Sequence, residues 1–228
     1  MYTNEFKKAL SISVPVMMGY LVLGFAFGLL LASFNYDWYL APIMSIFIYA
    51  GALQFVAIGF FNAKLGLIDI AIASLFVNIR QSFYGLSFLK RFRDTGKIKQ
   101  YLIFGLTDET YALLTTIKDE EGLSKKYFYF FLTMLNQSYW VLGSTVGAII
   151  GSNISFNTQG LEFSLTALFV VLCIEQYKNL KNIYPFLIGG FASVTSMIFV
   201  PTDKMLIASI IIAMIILLFA QKKVQNEQ

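Results

Sequence analysis

Long apolar stretches separated by short polar ones dominate the chain. Eight windows stand out, at about 9–34, 41–61, 65–89, 101–117, 127–150, 161–177, 183–200 and 205–220. Such runs match the ~30 Å hydrocarbon thickness of a bilayer at the ~1.5 Å rise per residue of an α-helix. None alternates polar and apolar positions as a barrel strand must, and an unbroken apolar run satisfies its backbone internally only as a helix. The pattern predicts an all-α fold, a polytopic transmembrane helical bundle of about eight hydrophobic segments in a single integral membrane domain over 1–228. Pro15, Pro42, Pro185 and Pro201 fall near the predicted segment ends, where a missing N–H costs least. Tyr36, Trp38, Tyr39, Tyr127, Tyr129, Tyr177 and Tyr184 gather at those ends, as interfacial aromatics do.

Charge gives these segments a direction. With both termini cytoplasmic, Lys64, Lys118, Lys125, Lys126, Lys178, Lys181, Lys222 and Lys223 all lie inside, as the positive-inside rule prefers. Eight full crossings would nevertheless put the strongest basic cluster, Lys90, Arg91, Arg93, Lys97 and Lys99, outside. Broken or re-entrant third and fourth segments return that loop to the cytoplasmic side. The fourth segment is short, and it carries Asp108 and Glu109 near its middle; the third carries Asn78, Arg80 and Gln81. Irregular backbone at membrane depth is tolerated where it lines a cavity, and broken helices build many transporter sites.

Composition narrows the chemistry. The 228 residues are 57% hydrophobic and 13% charged, with a mean hydropathy of +0.69 and a net charge of +4. A water-soluble core cannot hide that much apolar surface, and Lys and Arg sit between apolar runs rather than along one face. Lipid headgroups fit that pattern and nucleic acid does not. Cys173 is the single cysteine and histidine is absent, which excludes disulfides, Cys/His metal sites and Ser-His-Asp or Cys-His catalysis. No cofactor is expected. Only Asp108 and Glu109 could serve a membrane-embedded enzyme, and adjacent helix positions do not face one another. Lys7 and Lys8 precede an apolar run without a convincing cleavage site, so this run reads as a retained first span.

Two nonapeptides resemble each other, Tyr20 to Gly28 and Tyr139 to Gly147, with five positions identical at an offset of 119. Duplication would divide the chain into two four-segment halves, 1–117 and 127–220; chance likeness of apolar helices is the alternative. Gly24 with Gly28, and Gly143 with Gly147 and Gly151, have the spacing that lets helix backbones approach closely, so packing is preferred over a substrate role.

Arg80 is the basic residue that lies well within an apolar segment, at a cost of about 2.5–3.5 kcal/mol on the lenient insertion scale. Asp108 and Glu109 are its expected counter-charges. Asp69, Glu162 and Glu175 lie near segment ends and read as interfacial. Ser45, Tyr49, Gly51 and Gln54 offer hydroxyl, amide and open backbone toward Asn78 and Arg80, a lining that suits a zwitterion with an aliphatic side chain.

At these residues the sequence resembles the AzlC family, the larger subunit of branched-chain amino acid exporters of the LIV-E type. The resemblance runs through Pro15, Gly19, Gly24 and Gly28, through Ser45 to Phe55 with its Tyr-Ala-Gly-Ala-x-Gln-Phe block, through Asn78 to Gly85, through Thr107-Asp108-Glu109 and through Leu161 to Phe169. It implies a permease of the bacterial cytoplasmic (inner) membrane that exports leucine, isoleucine and valine, and in some members methionine. A small hydrophobic AzlD-type partner subunit is also implied. The family commonly has histidine after the motif arginine, where this chain has Gln81, so a histidine-based proton step is impossible here. On this reading Arg80 attracts the substrate carboxylate, Asn78 and Gln54 orient it, Tyr49 and Gly51 complete the lining, and Asp108 or Glu109 receives the ammonium group or a proton. A transporter of another small solute and a non-transporting structural or assembly subunit remain as alternatives.

Overall fold

The computed structural model describes residues 2–62, 66–117, 123–153, 170, 173–174, 177–178, 182–201 and 205–225. Among them are nine α-helices and no strand: α1 Thr3–Ser33, α2 Leu40–Phe47, α3 Gly51–Asn62, α4 Leu67–Phe88, α5 Ile98–Phe104, α6 Asp108–Thr116, α7 Lys125–Asn153, α8 Tyr184–Phe199 and α9 Met205–Gln225. Most of the sixth expected segment, with Glu162 and Glu175, lies outside the described residues. The chain forms two compact units, Met1–Ile58 with Asn78–Thr158 and Gly59–Val77 with Gln159–Gln228.

The fourth expected segment, read as broken or re-entrant, divides into α5 and α6. Two expectations are corrected: the second segment also divides, into α2 and α3, and the third, read as broken or re-entrant, is the single 22-residue α4. Among the described residues, α1 alone is long and apolar enough to cross a membrane by length and composition. It also begins six residues before the first window, so Pro15 sits inside the helix rather than near its end. α1 stops in a Schellman arrangement. Asn35 adopts a left-handed φ of 61° and bonds Ala32 O at 2.9 Å, while Tyr36 N reaches Leu31 O at 3.4 Å. Pro185 occupies the first turn of α8 and Pro201 follows its end, as a ring without an N–H should.

The first unit is organised by α1 and α7, which run parallel. Glu5 accepts from Ser124 N at 3.1 Å, Ser13 Oγ lies 3.1 Å from Tyr139 Oη, and Gly151 faces Leu29 and Ala32. Between these points the backbones meet at the glycines. A Cβ on Gly28 would come within 2.1 Å of the Ser144 carbonyl oxygen, and one on Gly147 within 2.1 Å of that of Phe25. Gly24 and Gly143 are close but less tight, at 3.0 and 2.8 Å from backbone atoms of the facing helix. The two similar nonapeptides thus pack against each other, and each glycine stands where the other helix needs its room.

The 90–99 loop lies at the end of this unit that holds the N-termini of α1 and α7. Phe92 and Leu102 share one apolar cluster with Ala9, Phe128, Tyr129 and Leu132. From there α5 rises, the chain turns at Gly105-Leu106-Thr107, and α6 returns. Leu114 and Ile117, at the far end of α6, give their carbonyls to Arg91, which also donates to Tyr129 Oη at 2.9 Å. Segment four is therefore a helical hairpin that enters and leaves at the same end. Arg91, counted above among the loop cations, instead caps α6, where a cation meets the negative end of the helix dipole. In the second unit α8 packs on α9 and leaves Leu187, Phe191, Val194 and Ile198 exposed along one stripe.

Two outcomes follow. Gly28→Ala and Gly147→Ala should each lower stability by about 1–3 kcal/mol through overpacking. Gly19→Ala, with nothing within 4 Å of its Cβ position, should be neutral or stabilising by up to about 1 kcal/mol. Melting curves in detergent compare the three. In a Cys173→Ser background, Lys97→Cys should react with an impermeant thiol reagent from the same membrane face as Lys7→Cys and the opposite face from Asp37→Cys. Labelling of Lys97→Cys alongside Asp37→Cys would exclude the hairpin.

Candidate functional site

Two helix breaks meet in the middle of the first unit. At the first, Tyr49 takes a left-handed φ of 44°, uncommon for a bulky side chain, and the chain folds back after α2. Gln54 Nε2 consequently reaches Ser45 Oγ at 3.2 Å, although nine positions along a straight helix would separate them by about 13 Å. Trp140 Nε1 donates to Gln54 Oε1 at 2.8 Å, Ser45 Oγ lies 2.8 Å from Ser144 Oγ, and Gly51 leaves room for the Trp140 ring. At the second break Thr107 is extended, and its hydroxyl caps α6 by accepting from Thr110 N at 3.3 Å. Asp108 and Glu109 follow in the first turn, where carboxylates complement the helix dipole.

The two breaks touch. The rings of Tyr49 and Phe104 are 6.2 Å apart, and the buried Tyr20 of α1 places its hydroxyl 2.7 Å from Thr107 Oγ1 while donating to Glu109 Oε2 at 2.6 Å. Thr107 donates to Thr110 Oγ1 at 3.0 Å, and Asn136 Nδ2 of α7 donates to the same oxygen at 3.0 Å. From α4, Arg80 Nη2 stands 2.8 Å from Asp108 Oδ2. One turn on, Tyr84 stacks on Tyr111 with centroids 4.2 Å apart, continuing the contact between α4 and α6. Both side chains of the ion pair are about one third exposed, at 37% and 35%. Asp108 Oδ1 faces Tyr84, and Tyr49 Oη faces the hydroxyls of Tyr20 and Thr107, while on α7 Thr133 Oγ1 and Asn136 Oδ1 are buried oxygens with no hydrogen bond among the described residues. Such oxygens are rare in folded proteins and mark a place that lacks a polar partner.

The expected residues separate into two groups. Arg80, Asp108, Glu109 and Tyr49 lie at the breaks, with the adjacent acids facing different partners. Gln54 and Gly51 do not join Arg80: the Gln54 amide is committed to Trp140 and Ser45, and Gly51 packs on the Trp140 ring. Asn78 is half-buried on α4, two positions before Arg80. Gly24, Gly28, Gly143, Gly147 and Gly151 all serve the α1–α7 contact. Tyr20, Thr107, Thr110, Asn136 and Trp140 were not singled out as site residues from sequence. Thr107 carried a legible signal, a threonine directly before two acids at a helix start.

Trp140→Phe would leave the buried Gln54 Oε1 without its donor and should cost about 1–3 kcal/mol. Combining it with Gln54→Met should cost less than the two single changes added together, because neither buried group then lacks a partner. Chemical or thermal unfolding of the four proteins measures the coupling, and strict additivity would exclude it.

Comparison with known proteins bears on the same helices. The family described as AzlC protein matches residues 15–154, which include both breaks and most of α1 and α7. A Helicobacter pylori protein named as an uncharacterized membrane protein is 42% identical over 224 residues, covering 98% of each chain. The Bacillus subtilis branched-chain amino acid transport protein AzlC is 37% identical over 98% of this chain and 88% of its own length. The Escherichia coli inner membrane protein YgaZ is 29% identical over 80% of this chain and 78% of its own. No solved structure matches the chain. With more than half its length matched and a near full-length relative above 30% identity, this membrane protein belongs to the AzlC family.

Proposed function

We propose that the chain is the large subunit of a two-component permease that exports branched-chain amino acids across the bacterial cytoplasmic membrane, with both termini on the cytoplasmic side. The observation that carries the reading is the Arg80–Asp108 pair at the meeting point of two helix breaks. A surface-like pair of this exposure is worth at most about 1 kcal/mol, so stability alone does not account for two charges in the apolar stretches of the chain. An amino acid supplies the complementary set. Its carboxylate suits Arg80, its ammonium suits Asp108 Oδ1 or Asn136 Oδ1, and Tyr49, Phe104 and Tyr84 offer aromatic walls to an aliphatic side chain. Asn78 is close enough along α4 to contribute orientation, whereas Gln54 and Gly51 support the α2–α3 break.

Transport then proceeds by exposing the breaks to the two sides in turn, a common use of discontinuous helices. A small AzlD-type subunit completes the permease, as the family resemblance implies. The Bacillus subtilis relative, named as a branched-chain amino acid transporter, supports the solute class.

Liposomes containing the chain with its partner subunit should release preloaded leucine and valine at least ~10-fold faster than protein-free liposomes. Arg80→Ala and Asp108→Asn should each reduce that rate by ~10-fold or more, the equivalent of about 1.4 kcal/mol. Failure of wild-type protein to move either amino acid would sink the solute assignment. A folded Arg80→Ala protein with unchanged efflux would remove Arg80 from the site.

A further inference from the structure

Asp108 and Glu109 are neighbours in sequence but not in environment. Successive helix positions point about 100° apart, so α6 presents Asp108 to α4 and Glu109 to α1. Asp108 is matched by Arg80 at 2.8 Å. Glu109 accepts from Tyr20 Oη at 2.6 Å, and the groups that face it are Tyr20 from α1, Tyr49 from the α2–α3 break, Asp108 beside it and Arg80 from α4. The Arg80 charge is already taken by Asp108, which leaves Glu109 among hydroxyls.

Those hydroxyls form a chain. Glu109 Oε2, Tyr20 Oη, Thr107 Oγ1 and Thr110 Oγ1 are linked at 2.6, 2.7 and 3.0 Å, and Asn136 Nδ2 closes it at 3.0 Å. Either hydroxyl can donate between Tyr20 and Thr107. When Glu109 is ionised, Tyr20 donates to Glu109, and Thr107 can turn its one proton from Thr110 to Tyr20. When Glu109 carries a proton, its own O–H donates to Tyr20, Tyr20 donates to Thr107, and Thr107 donates to Thr110. One proton has been added and none lost, yet every donor from Glu109 to Thr107 has reversed. Tyr49 Oη lies beside the hydroxyls of Tyr20 and Thr107, so this chain borders the α2–α3 break.

We propose that Glu109 is the carboxyl that takes a proton from water and returns it to water during the transport cycle, while Asp108 serves as the fixed counter-ion of Arg80. The Tyr20–Thr107–Thr110 chain then communicates the state of Glu109 to Asn136 on α7. This assignment rests on the reading of the breaks as a transport path.

Infrared difference spectroscopy of the full chain in lipid nanodiscs, titrated from about pH 4 to pH 10, tests it without requiring transport. A carboxylic-acid carbonyl band should titrate in the wild type, vanish in Glu109→Gln, persist in Asp108→Asn and change frequency in Tyr20→Phe. Glu109→Asp, which keeps a carboxyl, guards against loss through misfolding and should retain a displaced band. A wild type without such a band, or a band unaffected by Glu109→Gln, overturns the proposal. In liposomes with an entrapped pH dye, leucine efflux should carry protons, and Glu109→Gln should lower that proton flux at least ~10-fold; undiminished flux also overturns it. A wild type that shows the Glu109 band but moves no leucine instead defeats the substrate assignment.

Discussion

Backbone contact between α1 and α7 at Gly24, Gly28, Gly143 and Gly147 sets the geometry on which the rest of the first unit depends. In a bilayer, helices gain little by leaving lipid for one another, because lipid tails are as apolar as leucine; close van der Waals approach supplies the attraction instead. Glycine makes that approach available by withdrawing the Cβ from the interface. The consequence extends beyond the seam. Tyr20 lies one turn before Gly24 and Trp140 lies just before Gly143, and their rings meet at 5.4 Å. From those two side chains hydrogen bonds run to Thr107 and Glu109 on one hairpin and to Gln54 on the other.

A helix break inside a membrane protein exposes backbone groups that no lipid can satisfy, and the two breaks meet this constraint differently. At Thr107 a side chain replaces the missing backbone partner and the following acids complement the helix end. At Tyr49 the chain accepts a left-handed residue, and Gln54 is then held between Ser45 and Trp140. The first solution leaves charged groups at the break, and the second leaves the Tyr49 hydroxyl buried beside those of Tyr20 and Thr107. Their meeting collects polar atoms from both breaks, which is the physical basis of the proposal that a ligand binds there.

The charges away from this point do structural duty. Glu5 holds the start of α7 through Ser124 N, and Arg91 closes the end of α6 while its guanidinium lies over the rings of Phe88 and Tyr129. Both act at the same end as Lys7, Lys8, Lys90 and Lys97. A hairpin that returns to its starting end therefore reconciles the basic 90–99 loop with the side assigned to the N-terminus.

Sequence alone determined that the chain is helical and apolar, that Arg80 needs an acid, that the fourth segment cannot be an ordinary span, and that glycine spacing favours close packing. These are properties of composition, length and local spacing, which act within a few turns of helix. The family likeness was legible for the same reason, since it resides in contiguous motifs such as Tyr49 to Phe55 and Thr107 to Glu109. Tertiary structure decided that the second segment is also broken, that α4 is whole, that Arg91 is a cap, and that Gln54 serves Trp140 rather than Arg80. It also decided that Asp108 and Glu109 part company. Each of those outcomes depends on which helix lies opposite, and that is set by contacts between residues roughly a hundred positions apart, such as Tyr20 with Thr107 or Gly28 with Ser144, whose pairing no local pattern encodes.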